Sequence, residues 1–252
     1  LVNRAIQGRY APGSTFKPVT AIAALLRPGF DPEETYPCEG VFVLGTMRLR
    51  CSNTYGHGPV ALSKGIEQSC NSYFCHLGQT VGYEAICEQA RLLGLGQKTG
   101  LDLPSENAGL LPDAAQKERS GGGRWRPGDT CHLAIGQGQL LTTPLQMAAL
   151  TAAFANGGTL VRPFLARYER QPEKVRELGW PTQALARVRE GMRDVAALGT
   201  GRRVQVRGVE VAAKTGTAEY DSGGVRRKNT WVTAFAPFAQ PSVAVAIVVE
   251  NG

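Results

Sequence analysis

Three runs near the C-terminus, Val204 to Glu219, Asn229 to Phe238 and Ser242 to Glu250, are rich in β-branched and aromatic residues. Only the turn-like segments Asp221-Ser222-Gly223-Gly224 and Ala239-Gln240-Pro241 separate them. Links that short cannot carry a parallel crossover, so the runs predict antiparallel strands. The chain before them has a different character. Val19 to Leu26 is apolar all round and predicts a helix buried on every side, while Leu185, Val188, Met192 and Val195 give Thr182 to Ala197 a helical period. The expected fold is therefore α+β: a helical part at about 14–200, then a sheet of at least three strands at about 204–250. At 252 residues, 42% hydrophobic and 19% charged, the chain can bury one sizeable core, and 1–252 reads as a single domain.

Between these elements, Val41 to Leu44 and Met47 to Leu49 read as short strands in a loop-rich stretch ending near Gly58. Val60 to Gln68, Tyr73 to Val81 and Glu84 to Leu93 read as helices, and Thr143-Pro144 as the start of another through Ala155. Pro104 to Asp113 and Gln116 to Thr130 read as loops, the second a mobile surface loop. No apolar run approaches the roughly 18 residues of a membrane span, and the start is not a signal peptide. Without an initiating Met, the sequence reads as a piece of a longer chain, with any anchor elsewhere.

Lys and Arg number 28 against 21 Asp and Glu, a net charge of +7. The arginines are scattered apart from Arg202-Arg203 and Arg226-Arg227-Lys228, and no aromatic residues are interleaved with those runs. A carboxylate-bearing ligand fits better than nucleic acid. Cys38 and Cys51 flank a short segment and could close a hairpin as a disulfide, which would suit an exported protein. Cys70, Cys75, Cys87 and Cys131 read as buried free thiols. No Cys or His pair at zinc-ligand spacing is matched by a second pair, so no metal is expected, and His57 between two glycines reads as a turn residue.

Chemistry enters with Ser14 and Lys17, three residues apart where the buried helix begins. Such residues are neighbours on a helix, and burial lowers a lysine's pKa until it can take a proton from a hydroxyl. Ser-x-x-Lys alone is weak, since chance gives it about once in a few hundred residues. Ser69 and Asn71 sit at a break between two helices, where capping would explain both. On the first predicted strand lies Lys214-Thr215-Gly216-Thr217, with Lys214 and Gly216 on one face and the threonines on the other. A glycine in a strand often admits a close ligand backbone. Ile135-Gly136-Gln137-Gly138 lacks the third glycine and the strand-turn-helix frame of a dinucleotide site.

Together, Ser14-x-x-Lys17, Ser69-x-Asn71 and Lys214-Thr215-Gly216 have the order of the motif set of the penicillin-recognising serine enzymes. The surrounding residues narrow this: Gly8 to Pro18, Gly56-His57-Gly58, Ser69 to Phe74, Ile135 to Gly138 and Lys214 to Glu219. The chain resembles, from end to end, the transpeptidase domain of the monofunctional class B penicillin-binding proteins, most of all the elongation type, penicillin-binding protein 2. The resemblance implies the shared penicillin-binding-protein and serine β-lactamase fold, an antiparallel sheet packed with helices beside an all-helical subdomain, with the active site between them. Two N-terminal strands, a last C-terminal helix and an N-terminal membrane anchor would lie outside this sequence.

The implied activity is serine acyl transfer on peptidoglycan stem peptides ending in D-Ala-D-Ala, with β-lactams as inhibitors and no cofactor or metal. Ser14 would be the nucleophile, Lys17 its base and Ser69 the proton relay. Asn71 would bind the substrate amide, and Lys214, Thr215, Gly216 and Thr217 its carboxylate end. Backbone N–H groups of Ser14 and Thr217 would form the oxyanion hole. The implied location is the outer face of the bacterial cytoplasmic membrane, with elongation-complex proteins as partners of the full-length chain. A serine β-lactamase shares the motifs, but Glu106 is followed directly by Asn107 and no Glu-x-x-x-Asn segment follows Asn71. A D,D-carboxypeptidase and a β-lactam sensor remain as alternatives.

Overall fold

The computed structural model describes residues 2–165 and 173–252. A short helix α1 (Arg4–Gln7) precedes a 3-10 turn, Gly13–Phe16, that runs straight into α2 (Lys17–Leu25). Two small antiparallel pairs follow, β1 (Tyr36–Cys38) with β4 (Gly58–Val60) around β2 (Val41–Leu44) with β3 (Met47–Arg50). Helices α3 (Leu62–Glu67), α4 (Asn71–Val81), α5 (Tyr83–Leu92), α6 (Ala114–Arg119), α7 (Pro127–Ala134) and α8 (Pro144–Ala155) come next. The pair β5 (Thr159–Val161) and β6 (Lys174–Glu177) leads to α9 (Thr182–Ala197) and the strands β7 (Ala212–Ser222), β8 (Val225–Ala236) and β9 (Val243–Glu250). No helix among the described residues is long and apolar enough to cross a membrane.

Helix α2 is the pivot. Every residue from Lys17 to Ala24 is buried, as the all-round apolar run requires, and Pro18 sits in the first turn, where its missing N–H costs nothing. It packs on α4, α5 and α9, and Phe16, Val19 and Ile22 join one core with Phe74, Leu62 and Val188. At the other side, β7, β8 and β9 form an antiparallel sheet in that order, with Lys214 opposite Thr233 and Gly216 opposite Trp231. Helix α9 lies against β7, and α8 against β8 and β9. The α+β expectation is met, with the site where the α2 turn meets β7.

Two local expectations fail. Val204 to Val211 is not strand: Arg202–Val204 is a 3-10 turn, and Val209 N–H donates to Val206 C=O at 3.1 Å across a tight turn. Gly208, at φ +79°, permits that reversal, which overrides the valines' β preference. Gln116 to Thr130 is not one loop but parts of α6 and α7. Asp113 caps α6 through Gln116 N–H, and Asp129 accepts from Arg126 N–H while pairing with Lys117.

Candidate active site

The turn that presents Ser14 is fixed from three sides. Gly13, at φ +55°, donates its N–H to Gly136 C=O at 2.8 Å. A Cβ on Gly136, itself at φ +72°, would lie 2.1 Å from Gly13 O. Trp231 of β8 is fully buried, donates its indole N–H to Ala11 C=O at 3.0 Å and meets the Tyr10 ring edge-on. From β7, a Cβ on Gly216 would be 2.9 Å from Pro12 O and 3.1 Å from Thr15 N. The glycine expected to admit a ligand backbone instead admits the chain's own Ser14 turn.

Ser14 is half-buried at the head of α2, and Lys17, one turn on, has no exposed surface. Its ammonium donates to Ser69 C=O at 2.7 Å, Asn71 Oδ1 at 2.8 Å and Ser69 Oγ at 3.2 Å. Lys214, also fully buried, reaches the same Ser69 Oγ at 2.8 Å and Thr215 C=O at 3.1 Å. One hydroxyl thus bridges two amines. Burial lowers Lys17 to a pKa of about 8. Burial, reinforced by the Lys17 charge, pushes Lys214 well below the ordinary lysine value. Two cations cannot both be charged cheaply around one hydroxyl, so one amine is neutral near neutral pH. Lys17, with three acceptors, holds its proton longer.

Ser69 is held by backbone geometry. Ser69 N–H donates to Ile66 C=O and Cys70 N–H to Gly65 C=O, a Schellman closure of α3. Ser69 occupies the left-handed position of that motif, φ +54°, where glycine is customary. Cys70 then caps α4, its sulfur accepting from Tyr73 N–H. Asn71, the first residue of α4, spans from Lys17 to Arg50 C=O, to which its Nδ2 donates at 3.0 Å. The capping reading of this segment is true and compatible with a site, because the caps aim the side chains.

On β7 the expected alternation holds: Lys214 and Gly216 are buried, Thr215 is half-buried and Thr217 exposed. Thr217 C=O lies 2.7 Å from where a Gly13 Cβ would stand and accepts Gln137 Nε2–H at 3.2 Å. The N–H and C=O of a strand residue share an edge, so Thr217 N–H also faces the Ser14 turn. Two site residues escaped the sequence reading. Gln137 ties the glycine turn to β7, and Thr200 Oγ1 lies 2.7 Å from Thr215 Oγ1. The Gly199 turn before it packs on Glu67 C=O at the end of α3. Polar residues in a glycine-rich turn were the only available signal.

Cys38 and Cys51 are free thiols, not a disulfide, and each sulfur faces His57 Nδ1, at 3.5 Å and 3.4 Å. With Cys70 they form the group of described residues able to hold a metal ion.

The penicillin-binding protein transpeptidase domain model matches residues 1–252. Among relatives, the peptidoglycan D,D-transpeptidase MrdA of Acinetobacter baumannii is 36% identical over all of this chain and 41% of its own length. Stage V sporulation protein D of Bacillus subtilis is 32% identical over 99% of this chain and 39% of its own length. The chain thus spans about two fifths of those relatives. The structure of Pseudomonas aeruginosa PBP2 in complex with WCK 5153 superposes with TM-score 0.91 at 34% identity, over 100% of this chain and 58% of that one. PBP2 of Helicobacter pylori, solved in complex with MreC, gives TM-score 0.90 at 34% identity, over 100% and 48%. The bridged Lys17, Ser69 and Lys214, the glycine-packed Ser14 turn and these likenesses agree, and the chain belongs to the penicillin-binding protein transpeptidase family.

Proposed function

We propose that 1–252 is the transpeptidase domain of a peptidoglycan D,D-transpeptidase of the elongation type, working through a Ser14 acyl-enzyme. The observation that carries this reading is the Ser69 hydroxyl held between Lys17 and Lys214 beside the head of α2. Neutral Lys17 takes the Ser14 proton as Ser14 Oγ attacks the carbonyl of the penultimate D-alanine. With a pKa of about 8, Lys17 is neutral in about a tenth of molecules at pH 7. Backbone N–H groups of Ser14 and Thr217 receive the oxyanion, worth about 3 to 4 kcal/mol for a single donor. The proton passes through Ser69 to the departing D-alanine amine, and an amine of a second stem peptide takes the acyl group.

Asn71 presents its amide to the substrate backbone. Thr215 and Thr217, on the open face of β7, bind the terminal carboxylate. Lys214 is too deep for contact and serves by holding Ser69. Stem peptides and β-lactams are the ligands proposed. The full-length protein would stand at the outer face of the cytoplasmic membrane, anchored outside this sequence, with elongation-complex partners such as the MreC seen bound to the Helicobacter pylori relative.

A β-lactamase reading is disfavoured by Glu106. Both its carboxylate oxygens accept from Thr99 and Gly100, which leaves it a structural anchor instead of a water-activating base. The test is intact mass after incubation with a penicillin, followed over hours, for wild type and Ser14→Ala. A lasting adduct on the wild type alone is expected. Rapid loss of the adduct with drug consumption would mean a β-lactamase, and no adduct would sink the acyl-enzyme reading.

A further inference from the structure

We propose that Gln137 is a gate on the acyl-transfer site: its side-chain amide holds the backbone acceptor of β7 that the N–H of the acylated residue must take, and the incoming donor displaces it. The inference deepens the acyl-transfer reading and rests on it. It gives Ile135-Gly136-Gln137-Gly138 a role beyond the contact of Gly136 with the Ser14 turn. Gln137 lies between two left-handed glycines, Gly136 at φ +72° and Gly138 at φ +74°, and the reversal they make brings its side chain to β7.

Among the described residues β7 pairs with β8 alone, which leaves its other edge open. Thr217 presents its backbone groups on that edge, beside the Ser14 turn. Directly opposed residues of a hydrogen-bonded antiparallel pair exchange both bonds, each giving its N–H to the other's C=O. A donor residue whose oxyanion accepts from Thr217 N–H therefore brings its own N–H to Thr217 C=O. In this structure that oxygen already accepts Gln137 Nε2–H at 3.2 Å. A carbonyl oxygen has two lone pairs, but Gly13 crowds this one, since a Cβ there would stand 2.7 Å from it. Glutamine and donor thus compete for one position.

The hold is weak and reversible. At 3.2 Å the bond is at the long end of the N–H···O range, the side chain is only half-buried, and a glutamine kept in one rotamer gives up its freedom for a single bond. Its backbone is fixed separately. Gln137 N–H donates to His132 C=O at 2.8 Å and Gly136 N–H to Leu133 C=O at 2.8 Å. The side chain can swing out while Gly136 C=O keeps the Gly13 N–H, so opening the gate does not loosen Ser14. A ligand with a secondary amide on the carbon beside the attacked carbonyl replaces the bond it breaks, and one without that N–H leaves Thr217 C=O desolvated and unpaired. The class of ligand favoured is therefore an N-acylated residue, or a β-lactam with an acylamino group at that carbon.

Penicillin acylation is timed by intact mass for the wild type, for Gln137→Met, which keeps the length without the N–H, and for Gln137→Ala. Crystal structures of the wild type are solved before and after acylation. Removing the glutamine frees the acceptor in proportion to the strength of its hold, so both variants should acylate about two- to tenfold faster than the wild type. A side chain that merely braced the glycine turn would give the opposite sign. In the adduct the acylamino N–H of the penicillin should lie on Thr217 C=O, with Gln137 turned away. Equal or slower acylation in a folded variant, or an adduct in which Gln137 still donates to Thr217 C=O, would overturn the gate and leave acyl transfer standing. No adduct in any form would overturn the acyl-transfer reading, and the gate with it.

Discussion

Replacing Ser69 by glycine and, separately, by alanine isolates the backbone energy stored at this residue. Both changes delete the hydroxyl that accepts from Lys17 and Lys214, so that loss cancels between the variants. They differ in the backbone. Ser69 stands at φ +54°, and a residue with a Cβ pays about 1–2 kcal/mol for the left-handed region. Glycine escapes that strain but has a freer unfolded chain, which returns about 0.4–1 kcal/mol. Ser69→Gly should therefore be more stable than Ser69→Ala by about 0.5–1 kcal/mol. In a chain of 252 residues that is a difference of about 1–4 °C in melting temperature. Thermal and urea unfolding of the two, at equal reductant, read it directly, and penicillin acylation should be equally impaired in both. An alanine variant as stable as the glycine variant would refute the argument that this serine is held in a strained Schellman position.

Four further outcomes follow from the site. On the proposed mechanism, in which only neutral Lys17 accepts the Ser14 proton, acylation should climb about tenfold per pH unit from pH 6 and level off above about 8; Lys17→Ala should abolish the profile, read by stopped-flow with a chromogenic β-lactam. Because Lys17 titrates below the ordinary value of 10.5, the unfolded chain holds more protons between about pH 8 and 10.5, and this group's contribution to stability rises with pH there. Gly136→Ala should cost more than about 2 kcal/mol in unfolding experiments and slow acylation, since its Cβ would strike Gly13 O at 2.1 Å from a left-handed backbone. Thr200→Val should lower the acylation rate several-fold by freeing the Thr215 hydroxyl, while Thr200→Ser should keep it.

The sequence told most where one element decided its own fate. The all-apolar run after Lys17 became a helix buried on every face, and Thr182 to Ala197 appeared with its predicted bounds. The three strands with short turns paired as expected. Errors arose where a local cap or turn outweighed composition, as with Gly208 reversing a valine-rich stretch and Asp129 starting a helix inside a supposed loop. At the site, the three motifs came together, but what lies behind them was illegible. Gly216 looks like a ligand-facing glycine until the Ser14 turn is seen packed on it and on Gly136. Cys38, Cys51, His57 and Cys70 have no common period, and only the tertiary fold makes them neighbours.

The Ser14 turn is tethered from behind to Gly136, to Trp231 and to Gly216. A change in any of them would move Ser14 for a β-lactam and for a natural donor peptide alike. On the proposed function, resistance by that route would therefore carry an equal penalty in the natural acyl transfer. Discrimination between drug and substrate has to come from surfaces that the two ligands meet differently, such as the open threonine face of β7 and the Thr200 turn beside it. The rigid half of this site conserves reactivity, and the open half is where selectivity can evolve.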